Sequence, residues 1–223
     1  MPRPESTTEN NPLDASVLGS QELRRRMSGD LSENSLVISP ILDWEKQVGI
    51  ASIDVRLGNE FITFRTSSFP FMDLQKEPAK IEQNIYRYQR KFRIDYGESL
   101  VLHPGELVLG ATFEYMQIPN DLLCYVIGRS SWGRLGLTVA TATVVEPGFR
   151  GCITLELVNS GVVPIALVPG CRIAQLVFHP VRGAARYKGK KYTCPTGPDF
   201  SKIHLDKEMV FWAQPRNVGS ETE

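Results

Sequence analysis

The clearest pattern in the chain is the alternation of ITLELVN, where Ile153, Leu155 and Leu157 fall on one side and Thr154 and Glu156 on the other. A period of two belongs to an extended strand with one face in a core. IASIDVRLGNEFITF repeats it upstream: Ala51, Ile53, Val55 and Leu57 face inward, while Ser52, Asp54 and Arg56 face outward. Gly58-Asn59 is a turn signal, so this stretch predicts two strands joined as a hairpin. Asp54 and Arg56 share the outer face, as a structural ion pair or as residues that order the active site of a neighbouring subunit.

Helical spacing is confined to LGSQELRRRMSGD, with Ser20 as N-cap, Leu23 and Met27 on one face and Gly29 as the stop. SLVISP predicts a first strand that Pro40 ends. SSFPFMDLQKEPAK reads as a long loop, and IYRYQRKFRID as a partly exposed strand whose Arg87, Arg90, Lys91 and Arg93 face solvent or a partner. Aromatic and basic interleaving can bind nucleic acid, but Glu77, Glu82 and Asp95 dilute the charge here. From Ser99 onward, Pro-Gly recurs at 104–105, 147–148 and 169–170, each time before an apolar-rich strand. Pro presets φ and Gly accepts positive φ, which suits type II turns. Short strands between regular turns predict an antiparallel barrel or sandwich. Residues 1–16 read as a polar disordered tail, 17–191 as the β domain and 192–223 as a C-terminal extension.

Composition narrows the function more than the fold. Charged residues are 22% of the 223 and cancel to zero, so general attraction to nucleic acid or membrane is not expected and any anion site must be local. There is no apolar run near the ~20 residues that span a bilayer, and MPRPESTTENNPLDAS lacks the apolar core of a signal peptide, so the expected location is the cytoplasm. Cys124, Cys152 and Cys171 sit in apolar runs and read, with Cys194, as reduced thiols rather than a disulfide framework. His103, His179 and His204 lie far apart, and no H-x-E with P-C-x-x-C is present, so no zinc is expected. A phosphate loop of the G-x-x-x-x-G-K-[ST] type and a G-x-S-x-G nucleophile elbow are also missing from the sequence.

The candidate chemistry lies in 128–159. Arg129 and Arg134 bracket Ser130 and Ser131 with no acid between them, a concentration of donors suited to an anionic ligand or to surface ion pairs. Glu156 in a strand that is otherwise largely apolar is either on a solvated face or in use. The basic run after Pro180, with Arg182, Arg186, Lys188, Lys190 and Lys191, is either a cover for phosphates or a solvated tail.

GRSSWGRLG, EPGFRGCITLELVNSG and VPGCRIAQLVF together resemble the signature series of the dCTP deaminase branch of the dUTPase-like superfamily. ASIDVRLGNEF and LHPGELVLGATFEYMQIP fit the same series in the same order, so the resemblance covers roughly residues 17 to 191. It implies a mostly β, distorted jelly-roll barrel with one or two short helices, assembled as a homotrimer with sites between subunits. The implied reaction is hydrolytic deamination of dCTP to dUTP and ammonia without a metal in the protein. Rivals are a bifunctional deaminase–diphosphatase giving dUMP and pyrophosphate, a dUTPase alone, and a nucleotide-binding regulator that has lost the chemistry; dTTP is a possible inhibitor.

By the same resemblance Glu156 is the proton shuttle, while Ser130, Arg134 and a backbone carbonyl near Ala142 hold the water. Arg129, Ser131, Trp132, Gly133 and nearby amides would grip the triphosphate, with Mg²⁺ bridging its oxygens. Glu146 falls at the deoxyribose 3′-hydroxyl, Thr154 and Leu155 beside base and sugar, and Arg186, Tyr187 and Lys190 in a segment that folds over the phosphates. Three departures stand out: Glu146 replaces an aspartate, Lys190 a glutamine, and TVATATVV is one residue shorter and lacks the histidine before Thr-Ala. A one-residue change reverses every following side chain in a strand unless a bulge absorbs it.

Overall fold

The computed structural model describes residues 16–29, 31–32, 34–65, 71–140, 144–183, 191–206 and 208. Its helices are α1 (Ser20–Met27), α2 (Trp44–Gln47), α3 (Pro78–Tyr88) and α4 (Ser130–Gly133). The strands are β1 (Val37–Ser39), β2 (Ile53–Arg56), β3 (Glu60–Phe64), β4 (Gln89–Arg93), β5 (Leu100–Leu102), β6 (Leu107–Ala111) and β7 (Tyr115–Gln117). They continue as β8 (Leu122–Gly128), β9 (Leu137–Val139), β10 (Val144–Val145), β11 (Arg150–Gly151), β12 (Thr154–Asn159), β13 (Ile165–Leu167) and β14 (Arg172–Pro180).

Two sheets carry most of the molecule, ordered β10-β8-β14-β2 and β4-β3-β6-β12-β9; β1-β7-β11 and β13-β5 close the ends. The named strands pair antiparallel throughout, as the short turn-bounded segments predict. One core joins both sheets through Ile53, Val55, Phe61, Leu155, Leu157, Leu176 and Phe178. The alternation of β12 is real: Leu155, Leu157 and Asn159 are buried, and Thr154, Glu156 and Val158 half-buried. Gly105, Gly148 and Gly170 take φ of 79, 83 and 89°, the positive values their Pro-Gly turns need.

Three expectations are corrected. The strands flanking Gly58-Asn59 exist but form no hairpin: β2 pairs with β14, and β3 with β4 and β6. Gly58 N–H donates to the Ala111 carbonyl at 2.8 Å, and a Cβ at 58 would lie 3.1 Å from that oxygen. The dipeptide is a corner between sheets, where close backbone approach favours glycine. Next, the end of the expected loop and the first half of the expected strand IYRYQRKFRID give way to α3, started by Pro78 in its first turn and held by Ile81 and Ile85, both buried one turn apart; the second half of that strand stands as β4. Third, α1 is capped by Gly19 without a side-chain bond and ends at Ser28, so Ser20 is its first residue rather than its cap. Leu23 is buried as its spacing predicts.

Beyond β14, residues 191–206 pack back on the body. Pro195 O accepts from Cys152 N at 2.7 Å, Ser201 N donates to Gln89 Oε1 at 3.3 Å, and Phe200 meets Tyr86 edge-on at 5.1 Å. Cys124 and Cys152 are buried, Cys171 is half-buried and Cys194 is exposed, all of them as free thiols. No described helix is long and apolar enough to cross a membrane.

Candidate active site

The GRSSWGRLG segment leaves β8 at Gly128, opposite Ala174 of β14, and winds into the single turn α4. Trp132 N and Gly133 N donate to the Arg129 carbonyl at 3.0 and 3.1 Å, and Arg134 N to the Ser130 carbonyl at 3.0 Å. Those amides close the turn. Ser130, Ser131, Gly133 and Arg134 are exposed. Trp132 is half-buried and packs on the core, and its indole N–H donates to the Arg172 carbonyl at 2.9 Å. Its role in the structure is to latch α4 to β14.

Gly136 and Gly161 fix where the turn lies. Ser160 N donates to the Gly136 carbonyl at 2.8 Å, and β9 then runs along β12 with Leu137 opposite Asn159 and Val139 opposite Leu157. Asn159 is wholly buried and donates to the Leu102 and Val163 carbonyls at 2.9 and 2.8 Å, which holds the end of β12.

Glu156 stands three residues before that end, on the polar face, and its backbone carbonyl accepts Ala140 N at 2.8 Å. Burial pushes its carboxyl pKa up from the ordinary value. α4 leans on β9 and, through Trp132, on β14, while Glu156 lies in β12, the strand that pairs with β9. The structure brings Arg129, Ser131 and Trp132 together but keeps Glu156 on a different sheet.

Thr154 shares the face of Glu156. Leu155 does not: its side chain is 0% exposed within the core, so only its backbone can take part in a site. Glu146 is exposed at the start of the Pro147-Gly148 turn, its carbonyl accepting Phe149 N at 3.1 Å. Ala142, with the rest of 141–143, and Arg186, Tyr187 and Lys190 lie outside the described residues.

Sequence reasoning missed a cationic recess of about 460 Å³ beside α4, lined by Arg56, Arg129, Ser131, Trp132, Cys171 and Arg172. Asp54 lies under it at 5% exposure, corrected from an outward-facing residue to a buried one. Its partner is not Arg56, whose Nη1 donates instead to the Gly170 carbonyl at 2.9 Å. Arg172 Nη1 and Gln175 Nε2 each donate to Asp54 at 2.9 Å. Three guanidiniums line the recess, two of them at the one satisfied carboxylate beneath it, which leaves net positive charge for an anion. Among the described residues no group of three His, Cys, Asp or Glu side chains could hold a metal.

A family model described as dCTP deaminase-like matches residues 17–181. The chain is 42% identical over 185 residues to a dCTP deaminase of Halorubrum lacusprofundi, covering 80% of this chain and 89% of that protein. It is 40% identical over 186 residues to a dUMP-forming dCTP deaminase of Methanobrevibacter smithii, covering 80% and 93%. The solved 2′-deoxycytidine 5′-triphosphate deaminase from Agrobacterium tumefaciens superposes with a TM-score of 0.55 at 24% identity. That match covers 74% of this chain but only 46% of the other, and it shows the shared fold.

Proposed function

The chain belongs to the dCTP deaminase-like family, and we propose that it hydrolyses dCTP to dUTP and ammonia. The observation that carries this reading is Glu156, a half-buried carboxylate on the polar face of β12 whose burial raises its pKa. A carboxylate made more basic is a better proton acceptor near neutral pH.

In this reading Glu156 takes a proton from water as the oxygen attacks cytosine C4 and passes it to the ring nitrogen; it then takes the second proton from the C4 hydroxyl and hands it to the amine, which leaves as ammonia while the C4 carbonyl forms. Ser130 and Arg134, with a carbonyl near Ala142, hold the water and orient the carboxylate. Arg129 and Ser131 bind the triphosphate at the mouth of the cationic recess. Glu146 meets the 3′-hydroxyl, Thr154 lies beside the base, and Arg186, Tyr187 and Lys190 cover the phosphates.

The donor set fits a triphosphate that brings its own Mg²⁺. Arg56, Arg129 and Arg172 line the recess, and the Asp54 carboxylate beneath it is already bonded to Arg172 and Gln175. Bound through the phosphates, the ion neutralises their charge; the residues named here do the rest.

The assembly in this reading is a homotrimer. Its support is that Glu156 and the recess beside α4 belong to different sheets, an arrangement that a second copy would complete by bringing its own α4 to this Glu156. The exposed Tyr125, Ile127 and Val144 on the outer face of one sheet give such an assembly apolar surface to cover.

A second reading, release of dUMP and pyrophosphate, is favoured by the dUMP-forming relative at 40% identity. One assay separates them: incubation with dCTP, dUTP or CTP and Mg²⁺, with ammonia, nucleotide and pyrophosphate measured together. dUTP with ammonia supports the first reading, and dUMP with pyrophosphate the second. Nucleotide binding without turnover would instead identify a regulator.

A further inference from the structure

Asp54 is closed in by side chains that arrive from two distant segments. Arg172 Nη1 donates to Oδ2 at 2.9 Å, Gln175 Nε2 donates to Oδ1 at 2.9 Å, and Arg129 Nε stands 3.4 Å from Oδ2. Arg172 is itself anchored, because the same Nη1 donates to the Lys46 carbonyl at 2.6 Å. The Arg172 carbonyl in turn accepts from Trp132 Nε1 at 2.9 Å and from Arg129 Nη1 at 3.4 Å. Arg129 is therefore held through two nitrogens, one toward a carboxylate and one toward a carbonyl, with its side chain still 27% exposed at the recess.

A buried carboxylate with a single partner is costly, and a free arginine loses rotamer freedom when a ligand fixes it. Here one arrangement answers both. Arg172 and Gln175 satisfy Asp54, and the remaining field of Asp54 steers Arg129 before any ligand arrives. Being anchored at Lys46 and Asp54, Arg172 is not free to leave for a phosphate, whereas Arg129, at longer distances, is.

We infer that Asp54 and Arg172 are positioning residues that pre-set Arg129 for the phosphates of the nucleotide. The inference rests on the reading of Arg129 as a phosphate contact. Prepaid ordering of that side chain appears in affinity rather than in the chemical step.

The test is a double-mutant cycle on the full chain, reading KM and kcat for dCTP and the inhibition constant of inorganic tripolyphosphate. Asp54→Asn keeps the shape and an acceptor for Gln175 but removes the charge. KM and the tripolyphosphate constant should rise together about tenfold, with kcat within about threefold. Both rises should vanish when Arg129→Ala is already present. Arg172→Lys should recover most of the affinity that Arg172→Leu loses, and this pair carries the same cycle if the melting curve of Asp54→Asn shows it unfolded. A penalty of equal size with and without Arg129, or a loss confined to kcat, overturns the positioning role and leaves the phosphate contact standing. If Arg129→Ala itself changes neither constant, the phosphate reading fails and the positioning role falls with it.

Discussion

Gly136 and Gly161 pass so closely that a Cβ on Gly136 would stand 2.6 Å from the Gly161 Cα. Gly136 also has φ of +95°, in the region that side chains avoid. This crossing presses the turn after α4 against the end of β12, so it sets the register that places Ala140 opposite Glu156.

Gly136→Ala is expected to combine backbone strain with overpacking and to cost at least ~2 kcal/mol. Urea denaturation reads that cost, and ammonia release should fall with it because α4 and β9 shift. A variant as stable and active as the parent would show that the crossing is not a constraint.

Glu114 is wholly buried, accepting from Gln47 Nε2 at 3.0 Å and from Arg56 N at 2.8 Å. Both donors favour the carboxylate, but loss of solvent outweighs them and pushes the pKa up from 4.5 to about 7. Between those values the folded chain holds a proton that the unfolded chain has released. The stability from this group is fully present below pH 4.5 and is lost as pH rises through about 7. The loss is bounded by ~3 kcal/mol. Glu114→Gln removes the titration and one acceptor, so it should be less stable than the parent at pH 5 and lose less between pH 5 and 8. Parallel stability profiles for the two proteins would contradict the raised pKa.

Arg129 and Arg134 should divide affinity from turnover. If Arg129 is the proposed ground-state phosphate contact, Arg129→Ala is expected to raise KM for dCTP ~10- to 100-fold with little change in kcat. If Arg134 orients the reacting groups as proposed, Arg134→Ala should lower kcat ~100-fold. Steady-state kinetics on both variants checks the split; two pure KM effects would reverse the assignment for Arg134.

Much of the site was legible where the information is local. The period of two in ITLELVN put Glu156 opposite the buried Leu155 and Leu157, and that is where it stands. The Pro-Gly turns were equally readable, because each needs only one positive φ. Asp54 was misplaced because its partners lie 118 and 121 residues away, and no local pattern says that Arg172 and Gln175 will close over it. The Gly58-Asn59 corner failed for a related reason: its backbone donor finds Ala111 across the fold rather than the neighbouring strand. In α3 the helical spacing of Ile81 and Ile85 was present, but Tyr86, Tyr88 and the following Phe92 favour an extended reading on propensity.

Glu156→Gln tests the proposed chemistry most directly. Glutamine keeps the size of the side chain and can hydrogen-bond, but it cannot accept a proton from water. Removing the only proton shuttle should lower ammonia release from dCTP by at least ~10²–10⁴-fold. Melting temperature and dCTP affinity should stay near those of the parent. Ammonia release by Glu156→Gln at a rate comparable with an active parent would contradict the assignment of Glu156 as the base.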